Sequence, residues 1–291
     1  MTRVLITGAS GALGRAVIAD LCRREGYSVI TVGRRQSSSP DVVSYWPCDM
    51  RDPQQLATVL DQAQPDWVLH LAATFADDLI EARAVNVEPA QQILEWVRRG
   101  ERMTRVVLVG SAAEYGVVRP EENPVREERV LVPVSAYGVS KAWQTQLAGY
   151  FARSGVDVVC ARIFNLHGPG ISDRLFAGRL DRQIGEVLAG HRSVIEVGPL
   201  DAIRDYLDTA TAAVQLSAIA HYGCSGEIYH VASGIPLSMQ EFLKRELASA
   251  GLDSVIVREA AALSNHRGYD VPVIYADLVK TQALLQLSEH P

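Results

Sequence analysis

The hydrophobic residues of the chain fall into short unbroken runs that alternate with longer amphipathic stretches. The runs include RVLITG, SVITVG, WVLHLAA, RVVLVGS, DVVCARI and IYHVAS, and the stretches include LGRAVIADLCRREG and EPAQQILEWVRR. Uninterrupted Val, Ile and Leu runs are typical of parallel strands that helices cover on both faces. The pattern therefore predicts an α/β fold with a doubly wound parallel sheet of the Rossmann type.

The hydrophobic pattern also suggests a division into two domains. Residues 1–165 complete the winding, and residues 204–234 are expected to return to it. The segments 166–203 and 235–291 have no place in that winding. We expect them to form a smaller α/β cap over the carboxyl edge of the sheet, where ligands bind in this architecture.

Composition narrows the class of protein. The 291 residues are 48% hydrophobic and 21% charged, with a formal net charge of −6, which argues against a broad nucleic-acid surface. The apolar runs are too short to span a membrane, and MTRVLITGASG does not resemble a signal peptide. Cys48 and Cys160 lie in or beside apolar runs, and the cysteines form no metal-ligand pattern. We expect a cytoplasmic protein without a metal, membrane or nucleic-acid partner.

A glycine triplet follows the first predicted strand and opens the first predicted helix. Gly8 permits a tight turn, Gly11 lets the backbone approach a pyrophosphate, and Gly14 lets helix and strand pack closely. The spacing GxxGxxG in this context predicts a dinucleotide site. The expected contacts from the loop are Gly8, Ser10, Gly11, Ala12, Leu13 and Gly14.

The residues that follow the second predicted strand favour NADP(H) over NAD(H). Arg34 and Arg35 stand where an acidic residue would hold the ribose hydroxyl of NAD, and arginine suits the additional phosphate of NADP. A solvated arginine pair is the alternative. Asp49, with its neighbour Met50, is placed to reach the adenine, although it could instead cap the following helix. The small-residue run after the fourth strand adds Leu71, Ala72 and Ala73 to the cofactor contacts and Thr74 to the substrate contacts.

Tyr137 and Lys141 are four residues apart, so on a helix they project from one face. An ammonium near a phenol favours the phenolate and can also hold a nicotinamide ribose, which makes the pair a proton-delivery device. Lys141 is one of only three lysines in the chain. Ser111 ends a predicted core strand, where its hydroxyl can hold a substrate oxygen beside Tyr137; a simple strand-end cap is the alternative. We predict Ser111, Tyr137 and Lys141 as the catalytic residues.

These motifs resemble the extended short-chain dehydrogenase/reductase family, and within it the nucleotide-sugar branch. The segments that carry the resemblance are VGSAAEYGVVRPEENPVREE, YGVSKA, RIFNLHGPG and VGPLDAIRDYLD. The branch to which it is most similar contains the GDP-4-keto-6-deoxy-D-mannose reductases, which form GDP-D-rhamnose. The resemblance assigns substrate contacts beyond Thr74 and Ser111 to Asn165, Arg179, Arg204, Arg267 and Asp270.

One departure from the branch bears on the reaction. Related dehydratases carry an acidic residue after their catalytic Ser or Thr, and the corresponding positions here are Ala112 and Ala113. Glu114 follows one place later, which on an extended strand would turn it to the opposite face. Dehydration is therefore disfavoured, whereas transfer of a hydride to a ketone requires only the three predicted residues and the cofactor.

The leading hypothesis is an NADPH-dependent reductase of a GDP-linked 4-keto-6-deoxy sugar. A C4 epimerase that retains NAD, and a non-catalytic NADP-binding regulator, are the alternatives. By resemblance, the helices predicted for EPAQQILEWVRR and SAYGVSKAWQTQLAGYFARSG pair between subunits, so a homodimer is expected. Trp96, Trp143 and Tyr150 would contribute to that contact, or pack against the sheet instead.

Overall fold

The structure is a computed structural model that describes residues 1–36, 44–260 and 271–289. A seven-stranded parallel sheet dominates it, in the order β10-β6-β5-β4-β1-β2-β3. This confirms the predicted α/β fold with a doubly wound sheet. The strands of this sheet are β1 (Thr2–Thr7), β2 (Tyr27–Gly33), β3 (Ser44–Pro47), β4 (Trp67–His70), β5 (Arg105–Ser111), β6 (Val158–Ile163) and β10 (Ile228–Val231).

Helices cover both faces of the main sheet, as the amphipathic stretches predicted. On one face, α1, α7 and α9 enclose a core that includes Val4 and Ile219, and on the other α2, α4 and α5 enclose a core that includes Leu5 and Ile93. All six residues of β6 are buried, as expected for a strand covered on both sides. The helices are α1 (Ala12–Cys22), α2 (Pro53–Ala63), α3 (Leu79–Ala82), α4 (Glu88–Arg99), α5 (Ala136–Arg153), α6 (Phe176–Leu188), α7 (Thr209–Tyr222), α8 (Met239–Ser249) and α9 (Val279–Glu289).

Two small sheets are built from the later part of the chain. A three-stranded sheet has the order β11-β9-β7, and a two-stranded sheet pairs β12 with β8. With α6 and α8 they enclose a separate apolar cluster around Leu180, Ile195 and Phe242. The strands are β7 (Asn165–His167), β8 (Val194–Val197), β9 (Ile203–Asp208), β11 (Pro236–Ser238) and β12 (Ile256–Glu259).

The chain passes between these parts more than once. After β6 it enters the small sheets, returns through α7 and β10 to the main sheet, and leaves again into β11, α8 and β12. Finally α9 packs against α7 and β10. This path brings the carboxyl ends of the main strands and the small sheets to the two sides of one cleft.

Candidate active site

A cavity of about 980 Å³ lies between the carboxyl ends of the main strands and the small sheets. Its size suits a large organic ligand or two adjoining ones. Every predicted site residue in the described part of the chain lines it, whereas Arg267 and Asp270 lie outside the described residues. The predicted residues brought together are Gly8, Ser10, Gly11, Ala12, Leu13, Gly14, Arg34, Arg35, Asp49, Met50, Leu71, Ala72, Ala73, Thr74, Ser111, Tyr137, Lys141, Asn165, Arg179 and Arg204.

The glycine loop between β1 and α1 forms one end of the cavity. Gly8 has a positive φ of 70°, and a Cβ on it would lie 2.7 Å from the backbone nitrogen of Ala72. A Cβ on Gly14 would lie 2.4 Å from the carbonyl oxygen of Gly8, whereas one on Gly11 would meet that oxygen at 3.3 Å. Gly11 is the N-cap of α1 and offers no side chain to its first amides. Such a helix start suits a phosphate group.

Asp49 and Arg51 form an ion pair on the cavity wall, beside Arg34 and Arg35. Arg51 donates through Nε to Oδ1 of Asp49 at 3.1 Å and through Nη2 to Oδ2 at 2.7 Å. These hydrogen bonds lower the pKa of Asp49 to about 2. Asp49 is not the cap of α2, because the side chain of Asp52 accepts the hydrogen bonds from the first amides of that helix.

Arg51 was missed in the sequence, and it gives this end of the cavity a third guanidinium group. The signal was present two residues after Asp49. A side chain so close in sequence to a candidate carboxylate can fold back onto it and line the same wall.

Ser111, Tyr137 and Lys141 are neighbours on the cavity wall. Ser111 ends β5, while Tyr137 and Lys141 lie on the first two turns of α5, which Ser135 caps. The backbone amide of Ala113 donates to Oγ of Ser111 at 3.2 Å. Burial raises the pKa of Tyr137 to about 12, and a hydrogen bond from Ser111 offsets only part of that rise. The phenol therefore keeps its proton at neutral pH.

Lys141 is buried beneath Tyr137. Its Nζ donates to the carbonyl oxygen of Val109 at 2.8 Å and to Oε1 of Gln144 at 3.0 Å, and it lies 6.0 Å from the centre of the Tyr137 ring. Burial lowers the pKa of Lys141 to about 8. From the sequence, we expected the ammonium of Lys141 to lower the pKa of Tyr137. In this structure desolvation of the partly buried phenol raises its pKa instead.

Phe75 packs against Tyr137 on the cavity wall, and the sequence did not indicate it. The two ring centres are 4.7 Å apart. The carbonyl oxygen of Phe75 accepts a hydrogen bond of 3.1 Å from Nη1 of Arg174, which precedes α6 on the opposite side of the cleft. The contact joins residues distant in sequence, so no local pattern could reveal it.

The residues after Ser111 do not continue as a strand, and that expectation was wrong. Ala112–Glu114 form one 3-10 turn because Ser111 and Glu114 make a capping box. Ala112 and Ala113 line the cavity. Glu114 is fully buried and forms an ion pair with Arg162 at 2.9 Å. Its carboxylate is thus directed away from the cavity, as expected, but by a turn rather than by strand alternation.

The far end of the cavity is formed by residues of the small sheets and α6. Asn165 on β7 donates through Nδ2 to the carbonyl oxygen of Asp205 at 3.1 Å, and Arg204 on β9 donates to that of Val271 at 2.6 Å. Arg179 on α6 has a pKa lowered by burial. Tyr206, which the sequence did not indicate, also lines this end and stacks on a phenylalanine of α8 at 3.9 Å.

The structural findings on metals and membranes apply to the described residues only. Ranges 1–36, 44–260 and 271–289 contain no cluster of three or more metal-binding side chains. Within the same ranges, no helix is both long and apolar enough to cross a membrane. Cys48 and Cys160 are buried, as predicted.

The sequence model of the NAD dependent epimerase/dehydratase family matches residues 4–232. The chain therefore belongs to this family, which confirms the resemblance to the extended short-chain dehydrogenases/reductases. It is accordingly an NAD(P)-dependent, nucleotide-sugar-modifying enzyme of this family.

Individual relatives are distant but cover almost the whole chain. It is 26% identical over 269 residues to the GDP-6-deoxy-D-mannose reductase of Pseudomonas aeruginosa, covering 90% of this chain and 84% of that protein. It is 23% identical over 267 residues to the dTDP-6-deoxy-L-talose 4-dehydrogenase (NAD(P)(+)) of Kitasatospora kifunensis, covering 89% and 82%. The structure of RMD from Pseudomonas aeruginosa complexed with NADPH superposes with a TM-score of 0.83 at 22% identity, over 98% of this chain and 93% of that chain. At that identity the likeness shows the fold alone.

Proposed function

We propose that this protein is an NADPH-dependent reductase of a nucleotide-linked 4-keto-6-deoxy sugar, with GDP-4-keto-6-deoxy-D-mannose as substrate and GDP-D-rhamnose as product. The observation that carries the proposal is the position of Ser111, Tyr137 and Lys141. They lie in one cavity between the glycine loop and the arginine-bearing far end. The distant GDP-6-deoxy-D-mannose reductase covering most of the chain supports the choice of sugar.

The residues of the chain have distinct tasks in this reaction. Bound NADPH supplies the hydride for C4 of the sugar. Tyr137 gives its proton to the oxygen at C4, and the raised pKa of its phenol keeps that proton available. Ser111 holds the same oxygen through its hydroxyl group. Lys141 lies beneath Tyr137, where its ammonium can hold the nicotinamide ribose and stabilise the phenolate that forms.

The alanines beside Ser111 favour reduction over dehydration. Ala112 and Ala113 line the cavity but cannot transfer protons, and the buried Glu114 is engaged by Arg162. A 4,6-dehydratase requires a base that removes the proton at C5. None of these three residues can supply it.

The choice of NADPH rests on the arginines around the adenosine end. Arg34, Arg35 and Arg51 line this part of the cavity, and three guanidinium groups suit a phosphate dianion. Asp49, whose carboxylate accepts from Arg51, is the proposed acceptor for the adenine amine. An epimerase with retained NAD would not need this charge, so it is the weaker alternative. A non-catalytic NADP-binding regulator is weaker still, since it would not require both Tyr137 and Lys141.

The far end of the cavity is the proposed nucleotide-sugar site. Arg179 and Arg204 provide positive charge for a diphosphate, and Asn165 provides an amide donor beside them. Arg267 and Asp270 remain proposed contacts by resemblance only. Thr74 is the proposed contact to the sugar on the side of β4.

The proposed assembly is a homodimer through α4 and α5. Trp143 and Tyr150 on α5 have 38% and 51% of their surfaces exposed, which leaves apolar area for a partner subunit. Trp96 on α4 instead donates through Nε1 to Asp61 on α2 at 2.7 Å, so part of its surface serves packing within the chain.

The decisive experiment is an assay of NADPH oxidation with GDP-4-keto-6-deoxy-D-mannose, run beside Tyr137→Phe. The variant should retain NADPH binding and lose turnover by about 10²- to 10⁴-fold, the usual contribution of a positioned acid. Recovery of GDP-D-rhamnose would support the proposal. Well-folded wild-type protein that binds NADPH but leaves this ketone unreduced would exclude it.

A further inference from the structure

Glu114 lies immediately behind the catalytic serine in a fully buried position. Its Oε1 accepts the backbone amide of Ser111 at 2.8 Å. Its Oε2 accepts from Oγ1 of Thr145 at 2.7 Å and from Nε and Nη2 of Arg162 at 3.1 and 2.9 Å. The side chains of Glu114 and Arg162 are 0% and 1% exposed. The carboxylate is thus fully satisfied and out of contact with solvent.

The partners of Glu114 belong to three elements, two of which carry the predicted catalytic residues. Ser111 ends β5, Thr145 follows Lys141 by one turn on α5, and Arg162 lies on β6. One carboxylate therefore fixes the end of β5 against the helix that bears Tyr137 and Lys141. Gly110 allows this close approach, because a Cβ there would lie 2.5 Å from Oε1 of Glu114.

Stability alone is a poor explanation for this arrangement. Burial of two charges costs more free energy than burial of apolar side chains of the same size, and such pairs are often replaceable without loss of stability. The value of the pair lies in its geometry, because four directional hydrogen bonds fix the position of each group. Groups that must act on one carbonyl oxygen need such fixed positions.

We propose that Glu114 is a positioning residue that holds the hydroxyl of Ser111 and the phenol of Tyr137 in register for proton transfer to the substrate oxygen. The inference rests on the proposed reductase function. Glu114 does not line the cavity, so it touches neither substrate nor cofactor. Its effect passes through the amide of Ser111 on one side and the hydroxyl of Thr145 on the other.

Arg162, the partner of Glu114, makes its other hydrogen bonds to residues that do not line the cavity. Arg162 also donates through Nη1 to the hydroxyl of Tyr115 at 2.7 Å and to the carbonyl oxygen of Glu127 at 3.1 Å. Tyr115 in turn contacts the buried ring of His230. Arg162 is therefore held from both sides, and Glu114 has a fixed partner against which to orient Ser111.

The first test replaces Glu114 with Gln, which keeps the shape but leaves one amide hydrogen facing a donor. With the wild-type assay established, kcat should fall on the order of 10- to 100-fold, because small misplacements of catalytic groups reduce rate strongly. The Kd for NADPH should stay within about two-fold, since no cofactor contact changes. The matched control is Asp157→Asn, which breaks the bidentate pair of Asp157 with Arg105 at the other end of β5. It should lower stability without lowering kcat.

A second pair of variants separates positioning from packing, and it serves even if Glu114→Gln does not fold. Thr145→Val keeps both branches of the side chain but removes the hydroxyl, whereas Thr145→Ser keeps the hydroxyl and removes the methyl group. If Glu114 positions the helix through this hydroxyl, the Val variant should be about 3- to 10-fold slower and the Ser variant near wild type. If the Ser variant is instead the slow one and the Val variant is near wild type, the inference is overturned.

A structural measurement distinguishes failure of this inference from failure of the proposed function. Crystal structures of wild type and the Thr145→Val or Glu114→Gln variant give the separation of Oγ of Ser111 and Oη of Tyr137 without any substrate. A shift of about half an ångström or more is expected. An unchanged separation would overturn the positioning role. Absence of ketone reduction by wild type, with the shift still present in the variant, would reject only the substrate.

Discussion

The ring of Phe75 lies 4.7 Å from the ring of Tyr137 at an angle of 44°. The contact restricts movement of the Tyr137 ring on the side that Phe75 occupies. Tilted aromatic pairs contribute about 0.5–1.5 kcal/mol beyond the area they bury. Phe75 is therefore placed to keep Tyr137 in one rotamer.

We expect Phe75→Ala to lower kcat by about 3- to 10-fold, because without the ring contact Tyr137 is held less firmly in its position. The kcat of Phe75→Leu should lie between those of wild type and Phe75→Ala, because leucine restores part of the contact. Steady-state rates with saturating NADPH provide the measurement. A Phe75→Ala enzyme as fast as wild type would show that Tyr137 is held by other contacts.

The glycine loop offers a pair of substitutions with different outcomes. Gly14→Ala should disrupt the packing of α1 on β1, since its Cβ would lie 2.4 Å from a backbone oxygen. Gly11→Ala meets that oxygen at 3.3 Å and should fold, but its methyl group faces the cavity and should weaken cofactor binding. Thermal unfolding and NADPH fluorescence titration measure the two effects. Equal stability of both variants would contradict this assignment.

The arginines at the adenosine end predict the cofactor preference. Arg34→Ala should raise the Kd for NADPH by about 10- to 100-fold, the effect of a charge-assisted hydrogen bond of about 1.5–3 kcal/mol. The Kd for NADH should change little, because that cofactor lacks the phosphate. Arg99→Ala, at the solvent-exposed end of α4, is the control. A parallel loss of affinity for both cofactors would argue against a phosphate site.

The buried ammonium of Lys141 predicts a specific dependence of stability on pH. Its pKa is lowered to about 8 by burial, while in the unfolded chain it is about 10.4. Between these values the unfolded state binds more protons, so this group makes the free energy of unfolding rise with pH. Urea unfolding of wild type and Lys141→Met, from about pH 7 to about pH 10, isolates the effect, because other titrations cancel. The free energy of unfolding of wild type minus that of the variant should increase above about pH 8. A difference that stays constant with pH would show that the pKa of Lys141 is not lowered by folding.

The parts of the fold that could be predicted are those whose pattern is local. The run RVVLVGS became β5 without change of boundary, and the glycine triplet fell at the turn into α1. The short strands of the small sheets gave no such signal. β7 and β11 have three residues each, and all four residues of β12 are exposed, so neither length nor burial marks them.

The site was predictable where a motif carried it and not where a contact joined distant segments. Ser111, Tyr137 and Lys141 lie in motifs with defined spacing, and all line the cavity. Phe75 and Arg174 meet across 99 residues of sequence. Glu114 was interpreted as a strand residue because the hydrophobic run before it predicts a strand. In the structure a capping box between Ser111 and Glu114 ends the strand, and the carboxylate of Glu114 is buried against tertiary partners. Such choices depend on tertiary contacts.

The repeated passage of the chain between its two sets of sheets means that neither half can be removed intact. A fragment that stops after β6 lacks α7, whose alanines and leucine fill the core against α1, and lacks the edge strand β10. The apolar face left uncovered would be exposed to water. Heating should therefore unfold the chain in one transition. A ligand bound at either end of the cleft should protect both ends from proteolysis, because one end cannot unfold while the other stays folded.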